Sequence, residues 1–251
     1  MARLLVLGGT EIANRFVAAV REAHPELEVI LSLAGRTRDP RLPDCETRSG
    51  GFGGVEGLSA YLKAEGITAL VDATHPYAAQ ISANAAAAAK AASAPCLHLV
   101  RPEWVAGPDD VWHVAESNEA AARHLEVLSA AEPRKVFLSI GRQELAPYKA
   151  LGNCSFVVRS VEPPEEGDLS SGAELILARG PFSEADEIAF LKDRRIDLIV
   201  SKNSGGTATY GKIAAARALG LPVVMVERPA LPGGDVAGTV ETAISWLSGI
   251  S

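Results

Sequence analysis

The chain has 251 residues, 47% of them hydrophobic and 22% charged, with 24 Lys and Arg against 31 Asp and Glu for a formal net charge of −7. This balance excludes a mainly disordered chain and supplies ample core, and the length suits one large or two small α/β domains. The acidic surplus argues against a nucleic-acid binder, which presents a basic surface to phosphates, so an anionic ligand must be met by local basic residues.

The first apolar run, Leu4 to Leu7, is too short for a secretory segment or a membrane span. Cys45, Cys96 and Cys154 are odd in number and lack C-x-x-C spacing, so neither a disulfide framework nor a metal knuckle is expected. A reducing, cytoplasmic setting follows, with no metal, no membrane and no nucleic acid as partners.

Short apolar runs alternate with longer helical stretches along the chain, which is the α/β pattern of βαβ units around parallel sheets. Strands are predicted near Arg3 to Leu7, Glu28 to Leu33, Thr68 to Val71 and Cys96 to Leu99, with helices near Glu11 to Ala23, Gly57 to Ala64 and Pro76 to Ala92. A Pro- and Gly-bearing stretch, Arg101 to Asp110, interrupts the rhythm. The expected division is therefore residues 1–105 and 106–251, with the boundary somewhere in 100–134. The second half restarts with strands near Val111, Lys135, Ser155, Glu174, Asp197 and Pro222, and helices near Asn118, Ser183, Thr209 and Val236 to Ser248. Functional groups of such folds gather at strand C-termini, so a cleft between the halves is the expected site.

The first strand runs into Gly8-Gly9-Thr10 and a helix, which can present backbone N–H groups and a helix N-terminus to a phosphate. The third glycine of a full dinucleotide fingerprint is missing, so a plain tight turn stays open. At the end of the second strand stands Ala34-Gly35-Arg36-Thr37-Arg38, where an acid would serve NADH; Arg36 with Thr37 suits the 2′-phosphate of NADPH instead, or is simply a solvated loop charge. Ser49-Gly50-Gly51-Phe52-Gly53-Gly54 has four glycines in five positions and can cover a cofactor or merely connect. Asp72-Ala73-Thr74-His75-Pro76 follows the third predicted strand, where Thr74 or His75 reads as a helix cap while Asp72 and His75 are also candidate site groups. In the second half, Ser201-Lys202-Asn203-Ser204-Gly205-Gly206 reads as an anion cradle, and Arg142 after Gly141 is a weaker contact for a substrate carboxylate.

Taken together in this order, with Gln80-Ile81-Ser82, Arg101-Pro102 and Ala178-Arg179-Gly180-Pro181-Phe182 added, these segments resemble the precorrin-6A reductase family nearly end to end. One departure is that family members commonly have an extra residue between Gly-Gly-Thr and the next glutamate, here Glu11. The resemblance implies two Rossmann-like domains with parallel sheets flanked by helices. It implies NADPH held by the first domain, through Gly8, Gly9, Thr10, Ala34, Gly35, Arg36, Thr37, Gly53, Gly54, Asp72, Thr74 and His75. An anionic tetrapyrrole would be met by Arg142, Ser201, Lys202, Asn203, Ser204 and Gly205. The implied reaction reduces one macrocycle double bond of precorrin-6A, giving precorrin-6B, with possible hand-over to neighbouring cobalamin-pathway enzymes. His75, Lys202 and Tyr210 are the candidate proton donors, with bound water as a rival.

Three other readings stay open. The substrate could be the cobalt form, or the chain could be an NADPH sensor that binds without turnover. A short-chain reductase would show Tyr-x-x-x-Lys, and none is present: four positions after Tyr61, Tyr77, Tyr148 and Tyr210 stand Glu65, Ile81, Gly152 and Ala214.

Overall fold

The computed structural model describes residues 2–35 and 42–250. In chain order the elements begin with β1 (Arg3–Leu7), α1 (Glu11–Ala23), β2 (Glu28–Leu33), β3 (Glu46–Ser49), α2 (Gly54–Ala64), β4 (Ile67–Asp72), α3 (Ala79–Ala92) and β5 (Cys96–Leu99). They continue with β6 (Trp112–Ala115), α4 (Asn118–Leu128), β7 (Arg134–Ser139), β8 (Cys154–Ser160), β9 (Glu174–Leu177) and α5 (Glu184–Asp193). The last are β10 (Leu198–Lys202), α6 (Gly211–Leu219), β11 (Val223–Val226), β12 (Asp235–Ala237) and α7 (Val240–Ile250).

The chain divides into two compact units, Met1–Pro102 with Pro229–Ser251, and Glu103–Arg228. The first carries a parallel sheet in the order β3-β2-β1-β4-β5-β12, the doubly wound order of dinucleotide-binding folds. The second carries β9-β8-β7-β10-β11-β6, which repeats that order for its first five positions. The α/β architecture expected from the alternation of runs is the one observed.

The domain division needs a correction. Residues 229–251, expected in the second domain, return to the first, because β5 has an open edge that Asp235, Val236 and Ala237 pair against Leu97, His98 and Leu99. The last helix accordingly starts at Val240 rather than Val236.

Period-2 alternation assigns the faces of the first sheet. Leu4, Val6, Val29 and Leu31 pack with Phe16, Val17 and Val20 of α1 and with Val240, Ala243 and Leu247 of α7. Leu5, Leu7, Ile30 and Leu70 pack with Leu58 and Leu62 of α2 and the Ala85, Ala88, Ala89 stripe of α3. Small residues on α3 let that helix lie close to the sheet. Thr10 starts α1 by accepting a hydrogen bond from Ala13 N at 3.2 Å.

In the second unit, Phe137, Val157 and Ile199 pack under Leu191 of α5 and Ile213 and Ala216 of α6. An ion pair lies within this layer: Arg159 of β8 and Glu187 of α5, with side chains 8% and 1% exposed, form two hydrogen bonds. Lys212 of α6 is also buried, donating to Thr209 O at 2.9 Å and sitting 5.1 Å from the Trp104 ring centre. Burial pushes its amine down to about 7; Glu187 opposes that shift and Arg159 adds to it.

Two predictions follow from this packing. An unfolded lysine holds its proton up to its ordinary pKa of 10.5, so above about 7 the unfolded chain binds more protons than the folded one and stability rises with pH. Lys212→Met is expected to flatten that rise between about pH 6.5 and 8.5, read as the difference in urea midpoints between variant and parent. Gly57 on α2 lies so close to the preceding loop that a Cβ there would come within 1.7 Å of Phe52 O. Gly57→Ala should therefore lower stability by about 3 kcal/mol, measured by urea unfolding.

Candidate functional site

In the first unit the β1 and β4 ends flank the point where strand order reverses, the place where this topology opens a crevice. The cleft found there has a floor of Leu7 and Gly8 after β1 and Ser32, Leu33 and Ala34 at the end of β2. Its wall is the loop Gly50 to Gly54 leading into α2, with Leu58 behind it. Thr74 after β4 and Ile81 and Asn84 of α3 close the other side.

The backbone of this cleft is built for close approach. Gly53 in its wall and Gly9, one residue beyond its floor at Gly8, take φ of +82° and +101°, which side chains disfavour, and a Cβ on either would meet nothing within 4 Å. Gly8 is different: its Cβ would fall 2.5 Å from Leu31 Cδ1, so this glycine serves packing of the turn onto β2. An elongated ligand with phosphates and apolar rings suits such a lining, so the residues present fit a dinucleotide.

Thr10 and Asp72 tie the cleft together from beneath. Thr10 Oγ1 donates to Ala73 O at 2.7 Å, joining the β1 turn to the end of β4. Asp72 is 2% exposed, and its Oδ1 accepts from Thr74 N at 3.1 Å and Thr74 Oγ1 at 2.6 Å, while Oδ2 lies 3.0 Å from His98 Nδ1. Burial pushes this carboxyl up, but hydrogen bonds from His98, Ser82 and Thr74 outweigh it and hold the group below the usual carboxylate range. An ionised Asp72 only accepts, so His98 Nδ1 donates to it, and His98 Nε2 is buried beside Gly234 without a partner among the described residues. Asp72 thus shapes the 72–75 turn, and of the two residues Thr74 is the one that lines the cleft.

The capping expectation for residues 74–76 is also corrected. α3 starts at Ala79 after a turn in which Ala78 N donates to His75 O at 2.7 Å. His75 Nδ1 accepts from Tyr77 N at 3.3 Å, so the neutral ring carries its proton on Nε2. Gly8, Ala34, Gly53, Gly54 and Thr74 all line the cleft. Gly35 follows directly with φ of +74°, while Arg36, Thr37 and Arg38 lie outside the described residues.

Sequence reasoning passed over Arg48 on β3. It pairs in register with Ser32, donates to that hydroxyl at 2.8 Å, and reaches Gly50 O and Gly51 O at 3.0 and 3.2 Å. The only signal was its place two residues before the glycine run.

The second unit assembles its own set at strand C-termini. Lys202 ends β10 with its amine 3.0 Å from Glu144 Oε1, and Glu144 also accepts from Asn118 Nδ2 at 2.9 Å. Arg142 after β7 reaches Glu162 Oε2 at 3.3 Å and Pro163 O at 3.0 Å. Ser201 is fully buried in the sheet and donates to Lys202 O, so it is withdrawn from the substrate contacts. Asn203 is likewise buried: its amide accepts from Trp104 N at 2.8 Å and donates to Trp104 O at 2.9 Å, which makes it a clamp on that backbone. Ser204 is half-buried beside Gly205 and Gly206, whose φ values are +66° and +71°, and Gly206 O accepts from Trp104 Nε1. Tyr210 packs on Trp104, and its hydroxyl accepts from Arg217, which also bonds Asp110 twice.

Comparison with known proteins agrees with this architecture. Residues 3–248 match the model of the family described as precorrin-6x reductase CbiJ/CobK. A precorrin-6A reductase of Rhodococcus erythropolis is 46% identical over 98% of both chains. A cobalt-precorrin-6A reductase of Methanothermobacter thermautotrophicus is 30% identical over 94% of this chain and 80% of its own. A solved structure titled CobK precorrin-6A reductase superimposes with a TM-score of 0.92 at 39% identity, covering 100% of this chain and 98% of that one. With the fold and nearly the whole length in agreement, the chain belongs to the precorrin-6x reductase family of oxidoreductases in cobalamin biosynthesis.

Proposed function

We propose that this chain reduces a double bond of precorrin-6A with NADPH, giving precorrin-6B. The observation that carries the reading is the glycine-walled cleft at the switch point of the first sheet, in a chain of this family. The higher identity to a precorrin-6A reductase than to a cobalt-precorrin-6A reductase, 46% against 30%, favours the metal-free substrate. The basic residues Arg36 and Arg38 after β2 favour NADPH over NADH. Three free cysteines suit a cytoplasmic enzyme that passes its product to the next step of the pathway.

When bound, NADPH supplies the hydride; the protein's own residues bind, orient and protonate. Gly9, Gly53 and Gly54 offer room for close approach of the cofactor, and Thr74 presents a hydroxyl held by Asp72. Arg142, Lys202 and Ser204 meet the carboxylates of the tetrapyrrole in the second unit. Reduction of a double bond takes one hydride and one proton. Among the three candidate donors, Lys202 has an amine steered by Glu144, His75 carries its proton on Nε2, and Tyr210 is tied to the Arg217–Asp110 pair. Lys202 is the donor the geometry favours, since its amine stands at the C-terminal end of β10 with Glu144 Oε1 3.0 Å away to orient it.

The test is optical: NADPH oxidation with enzymatically prepared precorrin-6A, against NADH and cobalt-precorrin-6A. Oxidation with a change in the tetrapyrrole spectrum is expected with NADPH and the metal-free substrate. Arg36→Ala should raise KM for NADPH about tenfold and leave NADH unaffected, the scale of one charge-assisted hydrogen bond. Lys202→Met should lower kcat by about a hundredfold or more with NADPH binding unchanged. Tight NADPH binding without oxidation of either substrate would make the chain a sensor.

A further inference from the structure

The guanidinium of Arg48 occupies an unusual place beside the cleft. One face stacks on the Phe52 ring, with Cζ 3.8 Å from the ring centre, and Tyr61 flanks it at 5.2 Å. Its edge donates to three acceptors: the Ser32 hydroxyl, Gly50 O and Gly51 O. Among the described residues no carboxylate pairs with it. A solvated arginine would not be held in this way. Ser32, Gly50, Gly51 and Phe52 all line the cleft, so its three acceptors and the ring it stacks on all belong to the cleft wall.

The consequence for the loop is geometric. In a trans peptide the carbonyl and the following N–H point in opposite directions. Arg48 draws the carbonyls of Gly50 and Gly51 toward itself, so the N–H groups of Gly51 and Phe52 face away from it. Neither N–H meets an acceptor among the described residues. Gly50 at φ of +114° has the freedom this orientation needs, and its own N–H is anchored to Leu33 O at 2.9 Å. Two adjacent N–H groups turned outward from a cationic anchor make a small anion-binding surface.

We propose that Arg48 is a positioning residue for nucleotide binding: by taking up the carbonyls of the 50–52 loop it fixes the loop's N–H groups toward the phosphates common to NADPH and NADH. The proposal rests on the cofactor reading above. It makes the planar, three-point geometry of the guanidinium essential rather than its charge, because a lysine ammonium cannot stack on Phe52 and bridge three acceptors at once.

The experiment measures dissociation constants for NADPH and NADH by nicotinamide fluorescence, in the parent, Arg48→Lys, Arg48→Met and Ser32→Ala proteins. Melting curves without nucleotide run alongside. Arg48→Lys and Arg48→Met should both weaken the two nucleotides by a similar factor of about 10, the scale of one to two charge-assisted hydrogen bonds. Ser32→Ala, which deletes one acceptor and leaves Arg48 its bonds to the two loop carbonyls, should weaken both by a smaller factor, about threefold. Retained affinity in Arg48→Lys would show that charge alone matters and overturn the proposal. Loss of NADPH affinity with NADH untouched would make Arg48 a 2′-phosphate contact and overturn it as well. Failure of the parent protein to bind either nucleotide would remove the cofactor reading itself, a result distinct from a parent that binds and an Arg48→Met that binds equally well.

Discussion

Every strand pairing in both sheets is parallel, and this constraint organises the rest of the molecule. A parallel neighbour can be reached only by carrying the chain back across a face of the sheet, so all strand C-termini end on one edge and all returning helices start there. Residues far apart in sequence are thereby collected: Gly8, Ser32, Gly50 and Thr74 come from four different strand ends into one cleft. The same constraint requires both faces to be covered, which the α1/α7 and α2/α3 layers do in the first unit.

The parallel arrangement also explains the path of the chain between the units. Each sheet places five strands by the same order and then needs a sixth at the β5-like edge. In the second unit β6, which precedes the other five, fills that edge beside β11; in the first, β12 fills it after the whole second unit has been completed. The exchange leaves two crossings, at Pro102/Glu103 and Arg228/Pro229. It also places Gly234, just ahead of β12, against the buried ring of His98, so the return of the chain touches the Asp72 network that shapes the cleft.

Legibility in the sequence followed how each element is stabilised. Strands such as Arg3–Leu7 and Cys96–Leu99 are apolar runs buried on both faces, and the sequence marks their limits correctly. β3, with the sequence ETRS, and β12, with DVA, are short edge strands without an apolar run, so they escaped notice, and with them the place of Arg48 and the true membership of residues 229–251. Glycine turns were legible as turns because positive φ leaves a composition signature. The partners of Asn203 and Asp72 were not, since Trp104 and His98 lie 99 and 26 residues away and nothing local announces them. The loops at strand ends therefore read as a set of candidates, among which burial alone separates ligand-facing groups from clamps.

The two units solve one packing problem in two ways, and the difference bears on which of them holds a nucleotide. In each, the loop after the edge strand β3 or β9 presents a phenylalanine, Phe52 or Phe182, with an arginine stacked on it at 3.8 Å. In the second unit that arginine, Arg159, is neutralised by the buried Glu187, so its donors are spent inside the core. The loop there is bounded by Gly180, Pro181 and Ser183, with a single glycine. In the first unit Arg48 has no carboxylate partner among the described residues and instead holds loop carbonyls between four glycines. Satisfying a cation with a glutamate closes a core; satisfying it with backbone carbonyls turns the opposite face of those peptides outward as donors. The first arrangement stabilises a fold, while the second leaves hydrogen-bonding capacity that only a ligand or water can satisfy, and it stands at the switch point of the sheet whose strand order is that of dinucleotide-binding proteins.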